Sequence, residues 1–175
     1  MPMEQENLKR LAFALGGGAL GAMLVRNQYD EAKKSRAERE DPEGVAWICE
    51  LVRDLLEEWR PRFYGGEDEY TESLYRHLNR RMPDELEEGE EVDVELRPTT
   101  PYGVPDILIN DRLVLELKLD PDKGGRDRGI GQCAEYSCEW VTWIVVIGCP
   151  DHRIKAWEQL LEDKGLDGIE VVSFI

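Results

Sequence analysis

The stretch Val104-Pro105-Asp106-Ile107-Leu108-Ile109-Asn110-Asp111-Arg112-Leu113-Val114-Leu115-Glu116-Leu117-Lys118-Leu119 decides how this chain folds. Leucines occupy the odd positions from Leu113 to Leu119, while Glu116 and Lys118 fall on even ones. Side chains alternate across a strand, so the leucines bury one face and Glu116 and Lys118 share the other. A preceding strand, Pro105 to Ile109, offers Ile107 and Ile109 to the leucine face. Pairing Ile109 with Leu113 and Ile107 with Leu115 leaves Asn110-Asp111-Arg112 as the loop, an accepted hairpin length. Asp106 then stands opposite Glu116. A slip of one residue would turn the isoleucines off the core, so the apolar pattern holds the register.

Two facing carboxylates repel, and the pair destabilises the sheet unless a cation lies between them. A hard divalent ion held by carboxylate oxygens is such a cation. The hairpin therefore predicts a patch of Asp106, Glu116 and Lys118 suited to metal chemistry.

Outward from the hairpin, helices and strands follow in a regular order. Asp41-Pro42 starts a helix, with Asp as N-cap and Pro in the first turn. Ile48, Leu51, Val52, Leu55, Leu56 and Trp59 continue it on a 3.6-residue stripe until Pro61. A second helix spans about Glu67 to Arg81, with Tyr70, Leu74, Leu78 and Met82 on one side. Val92, Val94 and Leu96 alternate with charges as a half-buried strand. After Leu113 to Leu119 come a helix from about Arg126 to Trp140, a buried strand Val141 to Ile147, a helix His152 to Lys164 and a strand Ile169 to Ile175. This order predicts an α/β fold with a mixed sheet flanked by helices, preceded by a helical extension.

Val104-Pro105-Asp106, nine residues and then Glu116-Leu117-Lys118 resembles the active-site signature of the PD-(D/E)xK nuclease superfamily. Gln132-Cys133-Ala134-Glu135-Tyr136 is similar to the QxxxY motif of its recombination-exonuclease branch. The resemblance covers about residues 66 to 175 and implies a restriction-endonuclease-like fold. It implies that Asp106, Glu116 and the Leu117 carbonyl ligate Mg²⁺ or Mn²⁺, and that Lys118 positions or activates the attacking water and steadies phosphate charge. Glu72 is implied as the acid that completes the site, with Glu69 the alternative. Gln132 would orient water or substrate, supported by Tyr136, for which a core aromatic is the competing reading. Lys123, Arg126 and Arg128, in a Gly-rich loop and the start of the next helix, are candidate phosphate contacts. The reaction implied is metal-dependent hydrolysis of phosphodiesters in DNA, with RNA as the alternative. A catalytically silent nuclease-fold scaffold and an unrelated membrane-associated interaction domain are the competing readings.

A formal charge of −16 argues against tight unassisted binding of a polyanion. Eight acids between Asp84 and Glu95 supply much of it, without an intervening base, and read as a solvated face. Arg outnumbers Lys, and an acid-rich, Lys-poor surface suits a high-salt cytoplasm. Cys49, Cys133, Cys138 and Cys149 form no CxxC pair and read as free thiols rather than ligands of zinc or an iron–sulfur cluster. His77 and His152 read as surface or helix-end residues.

Leu11 to Val25 is an uncharged run of fifteen residues between Lys9-Arg10 and Arg26. As a helix it reaches ~22 Å, short of the ~30 Å hydrocarbon core, though snorkelling bases could close the gap. A membrane anchor, a soluble packing or homo-oligomer helix, and a signal peptide are the three readings, in that order. An anchor with more bases after it than before would leave the rest of the chain on the cytoplasmic face. The domain plan is thus an apolar segment over 1–26, a helical extension over 27–60 and a nuclease-like domain over 61–175.

Overall fold

The computed structural model describes residues 34–62, 65–86 and 91–174. The chain divides into two units, Met1–Lys34 and Ser35–Ile175. The apolar run 11–25, with its anchor, oligomer and signal readings, lies outside the described residues. Among the described residues no helix is long and apolar enough to cross a membrane.

The larger unit runs α1 (Arg36–Glu40), α2 (Pro42–Glu58), α3 (Glu67–Glu85), β1 (Val94–Leu96), β2 (Ile107–Ile109), β3 (Leu113–Leu119), α4 (Lys123–Tyr136), β4 (Val141–Ile147), α5 (Asp151–Asp163) and β5 (Glu170–Phe174). The strands form one sheet in the order β1-β2-β3-β4-β5. Its first two pairings are antiparallel and its last two parallel. The chain is therefore an α/β protein with a five-stranded mixed sheet flanked by helices.

The decisive hairpin has the expected register: Ile107 lies opposite Leu115 and Ile109 opposite Leu113. Its turn is tight because Asn110 and Asp111 both take positive φ, 53° and 51°. Arg112 N–H donates to the Ile109 carbonyl across it at 2.9 Å. Asn and Asp are the side-chain-bearing residues that best tolerate this conformation. The Trp140 indole N–H then donates to Asp111 Oδ1 at 2.7 Å and fastens the turn to the segment leading into β4.

One sheet face packs Ile107, Ile109, Leu113, Leu115, Leu117, Trp143 and Val145 against α2 and α3. The stripe Ile48, Val52, Leu55, Leu56 of α2 and the stripe Tyr70, Leu74, Leu78, Met82 of α3 lie in that same core. Residues 42–58 are therefore part of the main domain and not of a separate extension, which corrects the domain plan drawn above. The other face carries Ile144 and Val146 under α4 and α5, and Leu108 and Val114 under Tyr136 and Trp140. Both faces being covered, β2 and most of β3 and β4 are buried on every residue, as strands between two helical layers must be.

Two element boundaries differ from expectation for physical reasons. Helix α4 begins at Lys123, because Asp122 caps it by accepting from Gly125 N–H at 2.7 Å. Lys123, Gly124 and Gly125 are thus a first helical turn and not a flexible loop, since an N-cap outweighs the low helix propensity of two glycines there. Helix α3 continues past Arg81 and through Pro83 to Glu85. Arg81, paired with Asp84 and Glu85, bridges that last turn. The acidic run thus begins on a helix and continues toward β1.

Candidate active site

Strand β3 delivers its even residues to the face away from α2 and α3, and two of them are charged. Glu116 and Lys118 are only 3% and 8% exposed. Buried charges persist only when paired, and the partners are specific. Lys118 Nζ donates to Glu116 Oε1 at 2.9 Å, to the Leu117 carbonyl at 2.8 Å and to Glu67 Oε1 at 3.2 Å. Leu119 N–H donates to the other Glu67 oxygen at 3.0 Å. Asp106, just before β2, accepts from Leu117 N–H through Oδ2 at 2.8 Å. That bond reaches across the hairpin and aims Asp106 at the same patch as Glu116. The remaining oxygen of Glu116, Oε2, is buried with no hydrogen-bond partner.

The electrostatics follow from this crowding. Burial, with Asp106 beside it, pushes the Glu116 carboxyl up to about 7. Burial likewise raises the Asp106 carboxyl, although the Leu117 N–H opposes the shift. For Lys118, burial favours the neutral amine, but the charges of Glu116, Glu67 and Asp106 outweigh it and hold the ammonium above its ordinary range. Lys118 is therefore a fixed positive charge near neutrality, better suited to steady an anion or hold a water than to accept a proton.

These groups line a cleft of about 690 Å³ at the carboxyl end of β3, with Asp120, Asp122, Arg128 and Gln132 on its rim. The sheet changes from antiparallel to parallel pairing at this strand. Asp120 is ion-paired with Arg153 and Asp122 is the α4 cap.

Asp106, Glu116, Lys118, Gln132 and Arg128, all expected at the site, come together in this cleft. Glu72 does not join them. It is exposed on α3, where it pairs with Arg76 at 2.8 Å, and Glu69 is spent on Gly65 N–H at 2.6 Å. The acid at the cleft is Glu67, which the sequence reading missed. A signal for it existed: Glu67 precedes Thr71, Leu74 and Leu78 by four, seven and eleven residues, the spacing of the buried stripe. Glu72 falls off that stripe. Lys123 and Arg126 do not line the cleft either; Arg126 lies 3.9 Å from Asp127. Tyr136 is buried with Leu108, Val114 and Trp140, so it is a core aromatic. Burial raises its hydroxyl to about 12.

Two glycines are needed for close approach. A Cβ on Gly129 would come within 3.1 Å of Lys118 Cε and 3.4 Å of the Trp157 ring, so the lysine stem runs over bare helix backbone. Gly103, at φ +126°, brings its backbone against the Tyr136 hydroxyl. The four cysteines are unbridged. Burial keeps the Cys133 thiol, near Glu116, well above its ordinary range and so neutral. His77 is not a free surface residue, because its Nε2 lies 2.9 Å from the Leu55 carbonyl.

Asp106, Glu116 and the Leu117 carbonyl are the groups here that could hold a small hard cation. Among the described residues no group of three or more His, Cys, Asp or Glu side chains is placed to hold a metal ion. Two carboxylates, a backbone carbonyl and water form the kind of partial shell in which Mg²⁺ is usually held. The orphaned Glu116 Oε2 is the atom most in need of such a partner.

The titration of Glu116 has a consequence for stability. Its folded value of about 7 lies above the ordinary 4.5, so the folded state binds the extra proton between those values. The contribution is fully present below about 4.5 and lost as pH rises through about 7. Asp41, held low by Arg112, acts with opposite sign, losing its contribution as pH falls below the ordinary carboxylate range. In EDTA, the melting temperature should fall between pH 5 and pH 8, and Glu116→Gln should flatten that fall. An equal slope in the two proteins would show that Glu116 is not the group responsible.

No family model, curated protein or solved structure matches the chain.

Proposed function

We propose that this protein is a divalent-metal-dependent nuclease of the PD-(D/E)xK type, with a restriction-endonuclease-like fold and DNA as its substrate. The observation that carries this reading is the convergence of Asp106, Glu116 and Lys118 at one cleft, with one Glu116 oxygen buried and unpartnered. The resemblance of the Pro105-Asp106, Glu116-Leu117-Lys118 and Gln132-to-Tyr136 motifs supports it, as does the order of helices and strands around them.

Asp106, Glu116 and the Leu117 carbonyl would hold Mg²⁺ or Mn²⁺. When bound, the ion polarises the phosphoryl oxygen and lowers the pKa of a water. Lys118 holds its charge toward the phosphate that becomes more negative as water attacks. Glu67 fixes Lys118 and the end of β3. Gln132, on the cleft wall, orients water or substrate from α4. Five acids line the cleft against Lys118 and Arg128, so without a cation it repels phosphate. The ion is thus needed for binding as well as for turnover.

The test is incubation of the full chain with labelled single- and double-stranded DNA and RNA in Mg²⁺, Mn²⁺ or EDTA. Cleavage in either metal and none in EDTA is the expected result; identical products in all three would refute the reading. Glu67→Gln should slow cleavage about 10- to 100-fold, as removal of a group supporting the metal-site residues does, while Glu72→Gln should match the parent. The reverse order would return the role to Glu72.

A further inference from the structure

A second cleft, of about 390 Å³, lies between the end of α2 and the outer side of α3, and its walls are basic. Arg60, Arg62, Arg76, Arg80 and His77 line it together with a single acid, Glu58. Glu58 is already paired with Arg81 at 2.9 Å. Arg76 is paired with Glu72 on the exposed side of α3. Arg60 is spent on the end of α2, where its Nη1 donates to the Trp59 carbonyl at 3.1 Å and to that of Glu57. Arg62 and Arg80 form no ion pair among the described residues.

In a chain of net charge −16, these contacts account for Arg60 and Arg76 but not for Arg62 and Arg80. Arg76 and Arg80 are one turn apart on α3, and like charges at that spacing repel. The walls are pinned: Trp59 Nε1 donates to Ser73 Oγ at 3.4 Å, and His77 Nε2 meets the Leu55 carbonyl. Guanidinium groups on a fixed frame match the paired oxygens of a phosphate.

We propose that the Arg62, Arg76 and Arg80 cleft binds phosphate, and that its ligand is the backbone of a nucleic-acid strand. The choice of a strand rests on the nuclease reading; the anion site itself does not. Helix α3 joins the two clefts. Glu67 stands at its start on the buried side, and Arg76 and Arg80 lie nine and thirteen residues on, roughly 14 to 20 Å further along the axis at 1.5 Å per residue and on the outer side. A strand several nucleotides long that passes round the helix reaches both. The basic cleft supplies the grip that the acidic one lacks.

The test measures anisotropy of a fluorescein-labelled 12-nucleotide single strand with the full chain in EDTA, across a sodium chloride series. Arg62→Ala/Arg80→Ala is compared with the parent and with Lys155→Ala/Lys164→Ala, which removes two exposed charges elsewhere. The arginine pair is exposed, so its removal leaves the core intact. The expected result is at least tenfold weaker binding and a salt slope flatter by about 1.4, from two lost phosphate contacts at about 0.7 each. The lysine control should match the parent. Inorganic pyrophosphate is titrated in parallel by calorimetry. Arginine-dependent binding of pyrophosphate without binding of the strand would uphold the anion site and overturn the strand as its ligand. No binding of either probe, or equal binding by parent and arginine variant, would overturn the proposal. Because cleavage is not read in EDTA, strand binding without metal-dependent turnover would count against the nuclease reading alone.

Discussion

Lys118→Ala should slow metal-dependent cleavage by about a thousandfold, the scale of losing one preorganised charge at a developing oxyanion. The effect should fall on turnover more than on metal affinity, because Lys118 is not among the groups expected to hold the ion. The substitution also strips Glu116 of its cation and leaves a buried carboxylate, a costly change. That cost is limited because Glu116 already titrates near 7 and can take up a proton. Lys118→Met keeps the stem that crosses Gly129 while removing the charge, and so separates chemistry from packing. Both variants should lose turnover, with circular dichroism like that of the parent. Cleavage by the methionine variant at the parental rate would remove Lys118 from the chemistry.

Trp157→Ala should destabilise the protein by about 3–5 kcal/mol. Trp157 is 1% exposed and sits in the α4–α5 core with Ile130, Cys133, Ile144 and Val146. Its ring also approaches Gly129, the glycine over which the Lys118 stem runs. A loss of that size is a large part of a typical 5–15 kcal/mol and lowers the melting temperature by roughly 6 to 20 °C. Urea denaturation of both proteins measures it. A loss below about 1 kcal/mol would mean that this layer is not close-packed and that Lys118 is not positioned from beneath.

Much of the site was legible because β2 and β3 are governed by one strong pattern. Burying Ile107, Ile109, Leu113 and Leu115 on one face left a single register, and that register carries Asp106 to Glu116. The stripes of α2 and α3 were readable for the same reason. What escaped was the choice among acids at the start of α3. Glu67, Asp68, Glu69 and Glu72 are chemically alike; only the rotation of the helix about its axis decides which reaches β3. The buried stripe encodes that rotation, and extending it back one turn from Thr71 points to Glu67. The fate of Lys123 and Arg126 turned on one capping side chain, Asp122, which wound an apparent loop into helix and carried both bases off the cleft wall. The basic cleft of α2 and α3 was hidden because Arg62, Arg76 and Arg80 are scattered in sequence and meet only when two helices pack.

The most direct test is a crystal structure of the full chain grown with Mn²⁺, with data collected for the anomalous signal of the metal. A peak is expected between the carboxylates of Asp106 and Glu116, within ligating distance of the Leu117 carbonyl and of the Glu116 oxygen that is otherwise without a partner. Saturating Mn²⁺ with no peak there, and the two carboxylates still hydrogen-bonded only to Leu117 N–H and Lys118, would contradict it.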